Sequence, residues 1–399
     1  MNFTTALYFN CIADIISSVK MCINQEAEMD LIDLRNQIND IDKDILNLFI
    51  KRMEVCKNIA EYKKEHSLPV FQNNREKEII DRITDMSPDN LKNGAALLFT
   101  SIMDISKCLQ QDELLSDKAQ YKAKSFEPEK AEIIACQGTS GAYSEKACRK
   151  LFKNQKIRFY KEFEDVFKAV DNDEVDFGIL PLQNSTIGSV SQTYDLMAKY
   201  NFYINAIIRV EISHCLAAKN GTKLSDIKEV YSIEPALSQC SRFLSENRLE
   251  RKEYLNTALS AKLVSESDEP IACICSEEAA KLFGLEIIAD NIADAYPNYT
   301  RFICISKQFI SSENAGTISV SLSIPHTKSS LYRLLTKFSV SGMNLVKIEN
   351  KPIAGKEFEV IFYLDFSGNC MDRKVSALLD ELSKEHSYFK FLGNFDEII

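Results

Sequence analysis

Phe177-Gly178-Ile179-Leu180-Pro181-Leu182-Gln183-Asn184-Ser185-Thr186-Ile187-Gly188-Ser189-Val190 runs from an apolar stretch into a polar, glycine-containing loop. A short apolar run bounded by turn residues reads as a buried strand, and the sequence beyond the loop reads as a helix. The same order stands upstream. Ile133-Ile134-Ala135-Cys136 precedes Gly138-Thr139-Ser140-Gly141-Ala142-Tyr143-Ser144 and a helix from about 145 to 152. A strand, a glycine turn and a helix N-terminus make a natural anion cradle. The plainer reading is that each hydroxyl caps its helix. The alternation continues, with strands near 204–210, 229–233, 271–275 and 301–305 and helices near 238–246, 258–265 and 276–283. Polar loops that repeatedly end strands and start helices predict a two-lobed α/β domain over 131–308, with its ligand in the interlobe cleft.

Beyond this domain, Ile318-Ser319-Val320-Ser321-Leu322-Ser323-Ile324 alternates with the period of a strand. Helix 331–340, strands 345–348 and 358–366, helix 374–385 and strand 388–392 complete a ferredoxin-like α+β unit over 315–399.

Upstream, Leu31, Leu34, Ile38, Ile41, Ile45, Leu48, Val55, Ile59 and Tyr62 recur at three and four steps, and Pro69 ends the pattern. This predicts one helix of roughly 45–50 Å that must bury its stripe against other helices or a second chain. Arg52 interrupts the stripe, and Lys63 lies at nearly the same angular position three turns on. A buried unpaired cation is costly, so Arg52 calls for an anion unless it is a structural ion pair or reaches the seam's edge. Arg35 lies roughly 100° round the helix from Arg52, better placed to serve a neighbouring chain. A second helix begins at Arg75-Glu76-Lys77-Glu78, and a third, from about 91 to 111, carries Ser106 and Gln110 on one face. Residues 29–112 thus form an all-α domain. Residues 113–130 read as a linker, and 1–28 as a poorly ordered leader with no assigned function. Met29, directly before the helical pattern, is placed as a translation start would be.

With 399 residues, 45% hydrophobic and 27% charged, the chain is long enough for several globular domains. A net charge of -10 argues against nucleic acid as the partner, and no apolar run reaches the length of a membrane span. An anionic substrate would need cations gathered locally against this field. The twelve cysteines are scattered, which fits free thiols in a reducing cytosol. The one close pair, Cys273 and Cys275, is expected on opposite faces of its strand. The four His are dispersed, so neither a metal nor another cofactor is expected.

The helical residues Leu34-Arg35, Ile41-Asp42, Arg52, Lys63, Pro69-Val70, Arg75-Glu76, Ser106 and Gln110 together resemble the all-helical chorismate mutase domain. The resemblance implies an intertwined homodimer, with Arg52, Lys63, Glu76, Ser106 and Gln110 in one pocket and Arg35 supplied by the other subunit. The rearrangement of chorismate to prephenate needs no nucleophile. It needs the reactive conformer held and the ether oxygen stabilised as negative charge grows on it. Arg35 and Arg52 would hold carboxylates, Lys63 and Gln110 would face the ether oxygen, and Glu76 would accept from the substrate hydroxyl. Gln72 stands where the family usually has Asp. That substrate contact survives if the backbone N–H makes it and is lost if the carboxylate does.

Gly141-Ala142-Tyr143-Ser144, Pro181-Leu182-Gln183-Asn184-Ser185-Thr186, His214-Cys215-Leu216, Ser232, Pro235-Ala236-Leu237-Ser238-Gln239-Cys240, Asn256-Thr257-Ala258 and Asn298-Tyr299-Thr300-Arg301-Phe302 are similar, in order, to the motifs of prephenate dehydratases. The resemblance implies a fold like that of periplasmic binding proteins and the conversion of prephenate to phenylpyruvate with loss of water and CO2. Thr300 would carry the catalytic hydroxyl, polarised by neighbouring donors. Asn184, Ser185, Thr186 and Arg301 would bind carboxylate or hydroxyl groups, Phe302 would pack beneath the ring, and His214 fits a cleft donor. Gln183 replaces the usual Glu. The last unit resembles an ACT domain. That implies phenylalanine as effector at an interface of two such domains, with Ser330, Leu331, Glu349 and Asn350 on its two altered signature stretches. Lys351 replaces the usual Arg there, keeping the charge without the planar fork. The combined expectation is a cytoplasmic bifunctional enzyme, homodimeric or larger, acting on chorismate and prephenate under phenylalanine feedback. The alternatives are a dehydratase whose helical domain is only a dimerisation arm, arogenate as the substrate, and a sensor without catalysis.

Overall fold

A computed structural model describes the backbone of residues 3–66, 73–114, 121, 123–353 and 360–399, and side chains from residue 31 onward except 67–74, 111–120, 122 and 354–359. The chain divides into two compact units, Met1–Leu114 and Leu115–Ile399.

The first unit is three helices, α1 (Phe3–Glu65), α2 (Asn73–Met86) and α3 (Lys92–Leu114), with α3 packed on both others. The expected leader is instead the first part of α1. Neither Gly nor Pro occurs before Pro69, and once a helix is nucleated each further residue adds a hydrogen bond. The predicted stripe is on α1, but its own unit does not bury it: Leu48 is 66% exposed, and Leu31, Leu34, Ile38, Ile41, Ile45, Val55, Ile59 and Tyr62 are exposed as well.

The second unit runs in order β1 (Lys124–Ser125), β2 (Ile133–Gln137), α4 (Tyr143–Leu151), β3 (Lys156–Tyr160), α5 (Phe163–Asp171), β4 (Phe177–Asn184), β5 (Gly188–Ser189), α6 (Ser191–Lys199) and β6 (Tyr203–Glu211). The chain then crosses to β7 (Cys215–Ala218), β8 (Glu229–Ser232), α7 (Glu234–Gln239), α8 (Ser241–Glu246), β9 (Glu250–Glu253), α9 (Thr257–Glu266), β10 (Ala272–Cys275), α10 (Glu277–Leu282) and β11 (Glu286–Ala289). It returns as β12 (Tyr299–Ser306), then β13 (Ile310–Ser311) and β14 (Thr317–Ser323). Last come α11 (Ser330–Val340), β15 (Leu345–Pro352), β16 (Val360–Ser367), α12 (Arg373–Glu385), β17 (Phe389–Phe395) and β18 (Glu397–Ile398).

One lobe is built on the sheet β18-β6-β12-β4-β2-β3, with β5 beside β4, and the other on β11-β7-β10-β8-β9. Two crossings join them, Ile212–His214 outward and the segment 290–298 back. Ile212 N–H donates to Asn298 O at 2.8 Å and ties the crossings together. The lobes also touch at Gly141, where a Cβ would meet Ala279 Cα at 3.2 Å, and Ser276 Oγ donates to Gly141 O at 3.2 Å. The last part is the antiparallel sheet β15-β16-β14-β17 with α11 and α12, the expected βαββαβ sandwich.

Three details correct the sequence reading. Within the expected linker, the Tyr121 ring stacks on Phe391 at 4.1 Å, and β1 pairs with β13. Cys273 and Cys275 share one face of β10, their sulfurs 3.7 Å apart, because residues i and i+2 of a strand point the same way. And the chain continues past the sandwich as β18, which joins the first lobe's sheet alongside β6.

Candidate active sites

In the helical unit, α1 carries Arg52 and Lys63, α2 carries Glu76, and α3 carries Ser106 and Gln110. Arg52 is half-buried, with Nη1 3.8 Å from Cys56 Sγ, and among the described residues it makes no ion pair. Burial lowers the pKa of Lys63, opposed by the charges of Cys56 and Glu76. Ser106 and Gln110 are buried, and the Ser106 hydroxyl has no hydrogen-bond partner among the described residues. Arg35 is exposed, about 25 Å along the helix from Arg52, too far to join that group within one chain. Gln72 lies outside the described residues. Sequence reasoning missed Lys107. Its Nζ lies 3.2 Å from Glu76 Oε1 and 2.8 Å from Asp104 Oδ1, with Lys107 8% and Asp104 1% exposed. A Lys beside Ser106 on an apolar helix was the available signal.

In the second unit the anion cradle after β2 is filled from within. The Glu145 carboxylate accepts from Gly141 N–H at 2.8 Å and from Ser140 Oγ at 3.0 Å. Nor do hydroxyls cap these helices, since α4 and α6 start without a side-chain cap.

The second loop builds a network instead. Asn184 ends β4 directly opposite Thr300 on β12. Its Nδ2 donates to Thr300 Oγ1 at 2.9 Å and to Asn298 Oδ1 at 2.8 Å. Asn184 Oδ1 accepts from Thr186 N at 3.0 Å, Ile187 N at 3.0 Å and Thr186 Oγ1 at 2.7 Å, which fixes the amide's orientation. Ser185 is tied to β12, its Oγ accepting from Tyr299 N at 2.9 Å. From the other lobe, Gln239 Nε2 donates to Thr186 Oγ1 at 2.6 Å, and its Oε1 lies 2.8 Å from His214 Nε2. A carbonyl only accepts, so His214 carries its proton on Nε2 and presents a bare Nδ1. Burial holds the His214 pKa below its usual value, with the Gln239 bond opposing.

Two buried atoms of this network, His214 Nδ1 and Asn298 Nδ2, have no partner among the described residues. Thr300 is 8% exposed. Its oxygen accepts from Asn184, and no acceptor for its own proton is seen among the described residues. His214 also lines a cavity of about 250 Å³ with Ile212, Ser213, Asn291, Ala293 and Tyr296. Thr300 does not line it and connects to it through Asn184, Thr186, Gln239 and His214. Gln239 and Asn298 lie within motifs quoted from the sequence, but only the fold shows what they touch.

Arg301 and Phe302 do not join this group as expected. Strand residues alternate faces, so Arg301 points away from Thr300. Its Nε and Nη2 donate to Glu397 Oε1 and Oε2 at 3.0 and 2.7 Å. Phe302 shares Thr300's face but is 3% exposed, packed among Ile134, Cys148, Phe152 and Phe177. The expected effector residues separate as well. Ser330 and Leu331 line a cavity of about 580 Å³ with His326, Phe362 and His386. Glu349 instead pairs with Lys351 at 3.3 Å, and Asn350 is exposed.

Against known proteins, a prephenate dehydratase family model matches residues 134–309, and a chorismate mutase type II model matches residues 34–111. Arogenate dehydratase/prephenate dehydratase 2 of Arabidopsis thaliana is 32% identical over 66% of this chain and 72% of its own length. A bifunctional chorismate mutase/prephenate dehydratase of Buchnera aphidicola is 28% identical over 92% of this chain and 96% of its own. Among solved structures, the prephenate dehydratase of Arthrobacter aurescens in complex with L-Phe is 27% identical, with a TM-score of 0.61 over 66% of this chain and 89% of that one. Among the described residues, no helix is long and apolar enough to cross a membrane.

Proposed function

The chain belongs to the prephenate dehydratase family and carries a chorismate mutase type II segment ahead of that domain, and on this premise we propose how its residues divide two reactions. It is a bifunctional enzyme of phenylalanine biosynthesis, rearranging chorismate to prephenate and dehydrating prephenate to phenylpyruvate.

For the first reaction, Arg52 and the partner copy's equivalent of Arg35 hold the two carboxylates, while Lys63 and Gln110 stabilise the ether oxygen. The exposed stripe of α1 is the surface a second copy buries, which makes the enzyme a homodimer. Glu76, steadied by Lys107, accepts from the substrate hydroxyl, and Ser106 presents a hydroxyl that no other group among the described residues engages.

For the second reaction, Thr300 delivers a proton to the departing ring hydroxyl. The C–O bond breaks to release water, the C–CO2 bond supplies its electron pair to the ring, and one proton is consumed overall. The observation that carries this reading is the state of the Thr300 hydroxyl. Its oxygen accepts from the Asn184 amide, and no acceptor for its proton is seen among the described residues, which leaves that proton to be donated outward. The orphaned Asn298 N–H suits a substrate carboxylate. The C-terminal sandwich is an ACT domain that binds phenylalanine, with Ser330 and Leu331 in its cavity, and Glu349 and Asn350 contributing at an interface between copies.

The test is product analysis with chorismate, prephenate and arogenate supplied separately, with and without phenylalanine. Conversion of chorismate through to phenylpyruvate, slowed by phenylalanine, is expected. The Arabidopsis relative's name makes arogenate the second substrate to try. Faster conversion of arogenate than prephenate would overturn the assignment of substrate, and no loss of chorismate would reduce the helical unit to an assembly arm.

A further inference from the structure

Arg301 sits next to the proposed acid Thr300 but faces the other way, into a layer of charges between the first lobe and the C-terminal sandwich. Directly across β12 and β6 its neighbour is Arg209. Like charges opposite one another weaken a strand pair. The Arg209 Nε is buried with no partner among the described residues, and its guanidinium lies over the Tyr299 ring at 5.2 Å. Two arginines side by side on one half-buried face favour an anion, and the Glu397 carboxylate supplies it through two parallel bonds to Arg301, the strongest arrangement available to this pair.

Glu397 is not part of the dehydratase lobe by sequence. It stands on β18, two residues long, which pairs with β6 through Glu397↔Ile207 and Ile398↔Ile208. This strand directly continues β17 of the sandwich. Where the segment passes from one sheet to the other the backbones nearly touch, since a Cβ on Gly393 (φ +153°) would lie 2.1 Å from Ile204 O. The intervening Asp396 is held by Ser312 Oγ at 2.5 Å and Gly316 N at 3.1 Å. One continuous stretch, 389–398, therefore belongs to both sheets, and its last charged side chain grips the residue beside Thr300.

We propose that Glu397 is a positioning residue of the dehydratase site: by holding Arg301 on the back face of β12 it sets the rotation of the strand that presents Thr300 to Asn184. Through it, turnover depends on how the C-terminal sandwich sits on the lobe. The inference rests on Thr300 being the reacting hydroxyl. The carboxylate need not touch substrate, so its loss acts on kcat before KM.

The experiment compares full-length wild type with Glu397→Gln and Glu397→Asp. Gln is isosteric, but it offers one acceptor and turns an NH2 group towards the guanidinium. Asp keeps the charge with one carbon less. Steady-state kinetics with prephenate are measured beside chorismate disappearance in the same preparations, which reports on folding of the helical unit, and melting is followed for each variant. Expected is a fall in kcat of about 10- to 100-fold for Gln with KM within about twofold, the size of effect produced by displacing a reacting group by an ångström or less. Asp should recover a substantial part of that loss. The mutase rate should not change. Unchanged kcat in Glu397→Gln would overturn the proposal, as would a loss shared equally by Gln and Asp that follows melting temperature. If wild type itself does not turn over prephenate, the functional assignment fails rather than this one.

Discussion

Replacing Asn184 with Asp reverses a donor while keeping its shape. In the native site the Asn184 NH2 group lies 2.8 Å from Asn298 Oδ1 and 2.9 Å from Thr300 Oγ1. An Asp oxygen there meets the Asn298 carbonyl oxygen as one acceptor against another. It also attracts the Thr300 proton, so the hydroxyl turns inward and its proton is no longer offered to the substrate. The other oxygen keeps its bonds from Thr186 and Ile187, so the loop should hold its fold. Loss of one preorganised polar group of this kind costs about 100- to 1,000-fold in kcat, or roughly 2.7–4 kcal/mol. An interaction expressed mainly in the transition state leaves KM nearly unchanged, within about threefold. The assay is phenylpyruvate formation from prephenate by the full chain, with chorismate loss as an internal control. A kcat for Asn184→Asp within about threefold of wild type, at unchanged mutase rate, would refute the assignment of Thr300 as the proton donor.

Lys107→Met removes the cation that both Glu76 and Asp104 face on the buried side of α3. It should destabilise the helical unit by about 3–5 kcal/mol and abolish mutase activity, as read by far-UV circular dichroism in urea and chorismate turnover. Gly393→Ala puts a methyl group against the Ile204 carbonyl at a backbone angle that L residues rarely adopt. Melting of the second unit should fall by roughly 4–12 °C in calorimetry. His214 binds a proton less readily folded than unfolded because burial lowers its pKa from 6.5. Its contribution to stability is therefore complete above about pH 6.5 and is lost as pH falls from there through the folded value. Melting of wild type between about pH 8 and pH 5 should show this slope, and His214→Gln should flatten it.

The order of elements was legible because each was written locally. The alternation in 318–324, the three-and-four spacing in 31–62 and the polar loops after apolar runs depend only on neighbours in the chain. Short strands such as β7, β9, β11 and β18 were not, since each is too brief to show a period and exists because the strand beside it in the sheet supplies its hydrogen bonds. The start of α1 was misjudged for the opposite reason. Nothing in residues 3–29 stops a helix, but nothing there announces one either.

The residue types of the dehydratase site were likewise present in the sequence, but their partnerships were not. Gln239 reaches Thr186 from 53 positions away, and Glu397 reaches Arg301 from 96. The alternation of β12 already required Thr300 and Arg301 to part company. What each of them faces was settled by what the fold stacks on either side, Asn184 and the crossings beside Thr300, the C-terminal sandwich and Glu397 beside Arg301. Local chemistry selects a strand and its two faces. Only the packing of distant segments, driven by burial and by the need of buried charges and amides for partners, decides what each face will see.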